Sequence, residues 1–355
     1  MMRLERRHEG SRAALVLAPV GAIAFTLAVS ALLVLWAGAP VGRTYVLLFE
    51  GGFGSVFAWS ETLTRAIPLI LTGLAATVAF KARLFNIGAE GQLFAGALAA
   101  VAVGGMHGGT GFELPNWLLF PLMMLAAAAA GALLLLGPAL MKNRLGVDEV
   151  VTTLLINFIM LLGVSALLDG PMKDPAAMGW PQSVSLQPDL ELGKLIAQTR
   201  VHTGLVWAVS LAVIVWAIFK HTVLGFDIRA TGANARAAAF AGVPVTRTVV
   251  VAVALLSGAL AGLAGAIEVA GRTSYVTLDM SPGYGYTGIV IAMLAGLHPL
   301  GVIAAGVFVA GVLVGADTMS RAVGVPTYIA DVIVAASLIA VLVATLLTQY
   351  RVRMR

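Results

Sequence analysis

No cysteine occurs anywhere in the 355 residues, which excludes disulfides, thiolate metal centres and cysteine nucleophiles at once. Charge is scarce too: 11% of residues are Asp, Glu, Lys or Arg, against roughly 25% in an average soluble domain. With 60% hydrophobic residues the chain cannot cover a water-soluble globule with polar surface, so its solvent must be lipid. Lysines are few and none completes G-x-x-x-x-G-K-[ST], so the chain carries no phosphate-cradling loop for ATP. The five histidines, His8, His107, His202, His221 and His298, are scattered without ligand spacing, and neither H-E-x-x-H nor G-x-S-x-G is present. An intramembrane enzyme would need an acidic metal pair or a serine-histidine dyad at matching depth, and the sequence offers neither. Catalysis, a bound metal and a cofactor are therefore not expected of this chain.

What the sequence has in abundance is long apolar runs. Crossing a hydrocarbon layer takes about 20 such residues, and the runs predict an all-α, polytopic bundle of about ten spans. They fall near 13–37, 61–80, 84–105, 117–141, 150–168, 203–219, 248–270, 284–297, 300–316 and 326–348. The eighth is short, and His298-Pro299 merely punctuates the run it shares with the ninth. Gly and Ala recur at close spacing, which suits helices packed backbone to backbone. The first run is too long for a cleaved signal peptide and predicts an uncleaved anchor.

Basic residues are retained on the cytoplasmic side during insertion, which orients the bundle. With both termini cytoplasmic, inner segments hold most of the 22 Lys and Arg, while Glu50, Asp169, Asp189, Glu191 and Asp317 fall outside. This gives a single membrane domain with a cytoplasmic amino terminus (1–12), an extracytoplasmic loop (169–202) and a cytoplasmic loop (220–247). The net charge of +5 reflects this topology, and its dispersal over short loops excludes a nucleic-acid interface. Within the inner loop, GANARAAAFAG predicts a short helix bounded by Gly232 and Gly242, a rod that a soluble motor could grip.

Polar residues inside the runs are the functional candidates, because a carboxylate there costs a few kcal/mol unless it faces an interior or a wet cavity. In LFNIGAEGQLFAG, Asn86 and Glu90 share a helical face at i,i+4. Asn86, Glu90 and Gln92 line or brace a polar pathway; in the competing reading Glu90 only satisfies backbone amides near the tight turn at 81–86. In VDEVVTTLLINF, Asp148 and Glu149 complement the helix dipole, and the deeper Asn157 either bonds across helices or faces a translocation path. Glu268, Arg272, Tyr275, Tyr284 and Tyr286 gather towards the outer side. They form an interfacial aromatic belt with an i,i+4 ion pair, or an entry vestibule with tyrosines that stack on a planar or sugar-like solute. Arg65 and Asp331, near span ends, receive no role.

FNIGAEGQ (85–92), GVDEVVTTLLINF (146–158), RATGANARAAAFAGV (229–243) and GYGYTGIVIAMLAGLHPLG (283–301) together resemble the permease subunits of bacterial ABC importers. The wider family takes up simple sugars and branched-chain amino acids, and these motifs are those of its nucleoside branch. The resemblance implies alternating access in the bacterial inner membrane, with an extracytoplasmic solute-binding protein delivering a small-molecule solute. It further implies partner ATPase subunits that bind ATP and Mg, and a second, shorter permease completing a heterodimer. The 232–242 segment then corresponds to the coupling helix, docking through Asn234, Arg236 and Phe240. A simple-sugar permease and an ion-coupled transporter using Glu90 or Glu268 are the alternatives.

Overall fold

In a computed structural model the chain is described at residues 2–6, 12–105, 114–248, 253–324 and 350–354, and at isolated positions between 326 and 343. The expected tenth span lies mostly outside these residues, as does Asp331. The helices are α1 (Arg12–Trp36), α2 (Val41–Phe53), α3 (Val56–Lys81), α4 (Ala89–Gly104), α5 (Asn116–Leu145), α6 (Glu149–Asp169) and α7 (Gly204–His221). There follow α8 (Val223–Ala233), α9 (Ala235–Phe240), α10 (Val245–Arg247), α11 (Leu255–Glu268), α12 (Tyr284–Leu294) and α13 (Pro299–Val323). A two-stranded antiparallel ladder pairs Met2–Arg6 with Tyr350–Met354.

Among the described residues six helices are long and apolar enough to cross a membrane, and the bent pair of α1 and α2 makes a seventh candidate. Two expected spans are shorter as helices: α4 has 16 residues and α12 has 11. α2 occupies a stretch where the hydropathy pattern predicts only a connection. It follows α1 at a 114° bend, and its Arg43 and Glu50 dilute the apolar signal.

The chain divides into two compact units, 1–62 with 308–355, and 63–307. In the first, Gly52 of α2 lies against the Gly311 carbonyl of α13, where an added Cβ would come within 2.3 Å. In the second, α4, α5 and α11 pack through small residues. A Cβ on Gly96 would lie 2.1 Å from the Gly262 carbonyl oxygen, and one on Gly262 would lie 2.2 Å from that of Ala127. Since lipid tails are as apolar as leucine, such close backbone contact supplies the dispersion energy that water-driven burial supplies elsewhere.

Candidate functional site

The two polar motifs of the sequence meet in space. α6 opens with Asp148 as its N-cap, accepting from the Val150 N–H at 2.8 Å. Glu149, Thr153 and Asn157 follow at four-residue intervals and so share one helical face. That face reads the backbone of the irregular link between α3 and α4 and of the first turn of α4. Phe85 N–H donates to Glu149 Oε1 (3.3 Å), Ile87 N–H to Thr153 Oγ1 (3.1 Å) and Gly91 N–H to Asn157 Oδ1 (2.8 Å). Asn157 Nδ2 donates back to the Ile87 carbonyl at 2.7 Å and to Tyr286 Oη at 3.1 Å. Each of these amides left bare in hydrocarbon would cost several kcal/mol, which is why the polar residues recur at this spacing. Lys142, in the last turn of α5, pairs with Glu149 and donates to the Arg83 carbonyl. Glu149 therefore carries more than the dipole role that its position in the sequence suggests, and Thr153 joins it; their period of four with Asn157 is the signal that points to both.

Helix α4 starts at Ala89, so Asn86 precedes it and does not share a helical face with Glu90. Instead Asn86 folds back on the helix. Its Nδ2 donates to Gln92 Oε1 (3.0 Å) and Ser257 Oγ (3.2 Å), while its Oδ1 accepts from Gly88 N–H (2.9 Å) and Gln92 Nε2 (3.0 Å). Ser257 on α11 passes the chain on to the Ala75 carbonyl of α3 at 2.7 Å. All of these side chains are buried, and they knit α3, α4 and α11 into one frame.

Glu90, also buried, does not serve the 81–86 turn. Its Oε2 accepts from Gly285 N–H at 2.6 Å, at the first turn of α12. An anion suits that place, because unpaired N–H groups and the helix dipole both favour negative charge there. α12 starts deep in the bundle: the Tyr284 carbonyl accepts from Thr72 Oγ1, well inside α3, at 2.9 Å. Its far end lies by the end of α3, where Lys81 Nζ donates to the Leu297 carbonyl at 3.3 Å. α12 is thus about 16 Å long, half of a crossing, and the stretch before it, 269–283, is broken and tied to the 183–192 segment, where Leu186 N–H donates to the Ser274 carbonyl (2.7 Å) and Ser183 N–H to the Val276 carbonyl (3.0 Å). That stretch contains a π turn (Val269–Thr273) and a short 3-10 turn (Leu278–Met280).

The broken stretch holds a second polar group. Arg272 Nη1 donates to Glu268 Oε1 at 2.7 Å and to Tyr284 Oη at 2.9 Å. The expected ion pair forms, but Tyr284 is buried within it and so is not part of an interfacial belt. Tyr286, 36% exposed, is the one candidate pathway residue with its ring at a surface; Asn86, Glu90, Gln92, Asn157 and Tyr284 are all buried. His202, to which no local sequence pattern gives a role, packs its ring on Gly271 of the π turn. Burial, reinforced by the positive field of Arg272, lowers its pKa to about 4.

The rod expected within 220–247 is shorter than predicted. Asn234, not Gly232, is its boundary: the Asn234 side chain accepts from the N–H groups of Arg236 (3.0 Å) and Ala237 (3.1 Å) and so starts α9 afresh after α8. Gly242 closes it with a left-handed φ of +87°, which a glycine adopts without strain. Asn234, Arg236 and Phe240 are exposed, Phe240 at 97%. Gly232 instead permits a close approach, since a Cβ there would lie 1.9 Å from the Lys81 carbonyl oxygen, and α8 presses directly on the end of α3.

Comparison with known proteins agrees with this architecture. Residues 58–342 match the family described as branched-chain amino acid transport system / permease component. A guanosine ABC transporter permease of Bacillus subtilis is 37% identical over 90% of this chain and 91% of its own length. A glucose ABC transporter permease of Haloferax volcanii is 36% identical over 94% and 89%, respectively. A nucleoside ABC transporter permease of Lactococcus lactis is 32% identical over 90% and 89%.

Proposed function

Because the chain belongs to the branched-chain amino acid transport system / permease component family and is a permease subunit of an ABC importer, we propose that it carries a nucleoside inward by alternating access. Two of the three relatives above carry nucleosides by name, which favours that cargo over a sugar. On this reading the protein sits in a bacterial inner membrane with both termini cytoplasmic, an arrangement supported by the pairing of Met2–Arg6 with Tyr350–Met354. An extracytoplasmic binding protein delivers solute, a second permease completes the pathway, and ATPase subunits holding ATP and Mg supply the force.

The observation that carries the proposal is a continuous mechanical line from the exposed rod to the buried break. α9, offering Asn234, Arg236 and Phe240, continues from α8; Gly232 abuts the Lys81 carbonyl; Lys81 holds the end of α12; and the start of α12 rests on Glu90. A push on the rod reaches the midpoint of the bundle through main chain and short contacts. At that midpoint Tyr286 is the residue placed to meet solute, while Asn86, Glu90, Gln92, Asn157 and Tyr284 form the frame that holds it.

The test is uptake by the permease pair reconstituted with its ATPase and binding protein. Labelled nucleoside should enter only with ATP, and unlabelled nucleoside, not glucose, should compete. Competition by glucose alone would transfer the cargo to the sugar class. Uptake driven by an ion gradient in vesicles lacking the ATPase would overturn the importer mechanism.

A further inference from the structure

Where the last turn of α5 faces the segment after α9, the surface opens into a cleft of about 500 Å³. Arg144 and Asn143 stand on the α5 side, Arg247 and Thr246 on the other, and Leu140 and Val245 supply apolar wall. Among the described residues no carboxylate lines it. Lys142, beside Arg144 on the same turn, has its charge matched by Glu149, whereas both arginines are exposed and face the cleft together. Two guanidiniums lining one cleft without an acid are a receptor for an anion, and their planar forks suit phosphate oxygens in particular.

The surroundings decide the source of that anion. Met141 and Leu145, beside the cleft on the same spanning helix, are large, apolar and exposed. A free inorganic anion would leave these side chains and the walls of Leu140 and Val245 uncovered, while a lipid would satisfy charge and apolar surface together. Of α9 only Ala239 lines the cleft, while Phe240, 97% exposed, lies outside it, so the cleft adjoins the surface offered to the ATPase without including its most prominent side chain.

We propose that this cleft binds an anionic phospholipid of the cytoplasmic leaflet, its phosphate between Arg144 and Arg247 and its acyl chains along the Leu140, Met141 and Leu145 end of α5. The site then joins α5 to the base of the coupling segment through a membrane component. It rests on the orientation that basic residues give the bundle and not on the identity of the solute.

Native mass spectrometry of the intact transporter, purified from vesicles of equal phosphatidylglycerol and phosphatidylcholine, reads this directly. Phosphatidylglycerol should be retained preferentially, and Arg144→Gln or Arg247→Gln should each weaken that preference about fivefold, the usual contribution of one basic residue near an anionic surface. The Leu145→Ala variant, which keeps both charges, should shorten retention without abolishing the preference. Thermal unfolding in neutral detergent should leave the arginine variants at the wild-type midpoint, separating lost lipid from lost fold. Three results would overturn the proposal: equal retention of both lipids by the wild type, displacement by inorganic phosphate at millimolar concentration, or loss of the ATPase subunit instead of lipid from the arginine variants. None of these readouts depends on transport, so a wrong cargo and a wrong lipid site would be told apart.

Discussion

The junction around α4 and the rod α9 are both polar interruptions in a greasy chain, yet they resolve in opposite ways. At the junction, Asn86, Gln92 and Asn157 are buried and find their partners inside the chain. On the rod, Arg236 and Phe240 project outward, and only Asn234 is occupied, with capping. Polar residues in a membrane protein therefore divide by where their bonds end. Those that end within the chain hold it together, and those that end in space leave a surface open for another molecule.

The comparison breaks most violently at the packing beneath the junction. Gly262→Val should yield no folded protein, since its methyls would collide with the Ala127 carbonyl and force α5 from α11; a monodisperse gel-filtration peak at normal yield would contradict this. Asn157→Leu comes next. It strands the Gly91 N–H and the Ile87 carbonyl at about 1–3 kcal/mol each, read as a fall in thermal midpoint in detergent. Thr153→Val, which strands one amide, should cost about half as much, and equal effects would mean that the four-residue ladder is not the organising element.

His202 provides a pH-dependent counterpart. Its neutral form is the one buried, with a pKa of about 4 when folded against about 6.5 in the unfolded chain, so the unfolded state binds more protons between those values. Its contribution to stability should be full above about pH 6.5 and decline as pH falls through the window towards 4, by up to roughly 3 kcal/mol. His202→Gln should flatten that slope, measured as thermal midpoint against pH.

The smallest effect on stability belongs to the rod. Arg236→Glu and Phe240→Glu should shift folding by no more than about 0.5 kcal/mol, because neither side chain is packed. The same variants should uncouple ATP hydrolysis from uptake. Wild-type transport by either would remove the docking role from α9.

The helices are more legible in the sequence than their ends. Apolar runs locate α5, α6 and α7 closely, because long lipid-facing helices must be apolar throughout. The same pattern places the start of α4 too early: Leu84, Phe85 and Ile87 extend the apolar run, while the backbone there bonds to α6. Likewise Gly232 reads as a helix boundary, but the side chain of Asn234 accepts two hydrogen bonds from the next turn and so fixes the break. The membership of the site is legible as polar residues in the wrong solvent. Its wiring is not, since Glu90 to Gly285 and Asn157 to Tyr286 join residues far apart in the chain that no local pattern relates.

The half-length of α12 bears on how the protein is made. Eleven residues are too few for a segment to leave the insertion machinery sideways as an independent helix, and the broken stretch before it finds its backbone partners in the 183–192 segment. This crossing can enter only once α3 and α4 stand ready with Thr72 and Glu90 to receive it. An order of biogenesis is thereby written into the architecture: an early-made wall serves as template, and a later-made plug is seated against it.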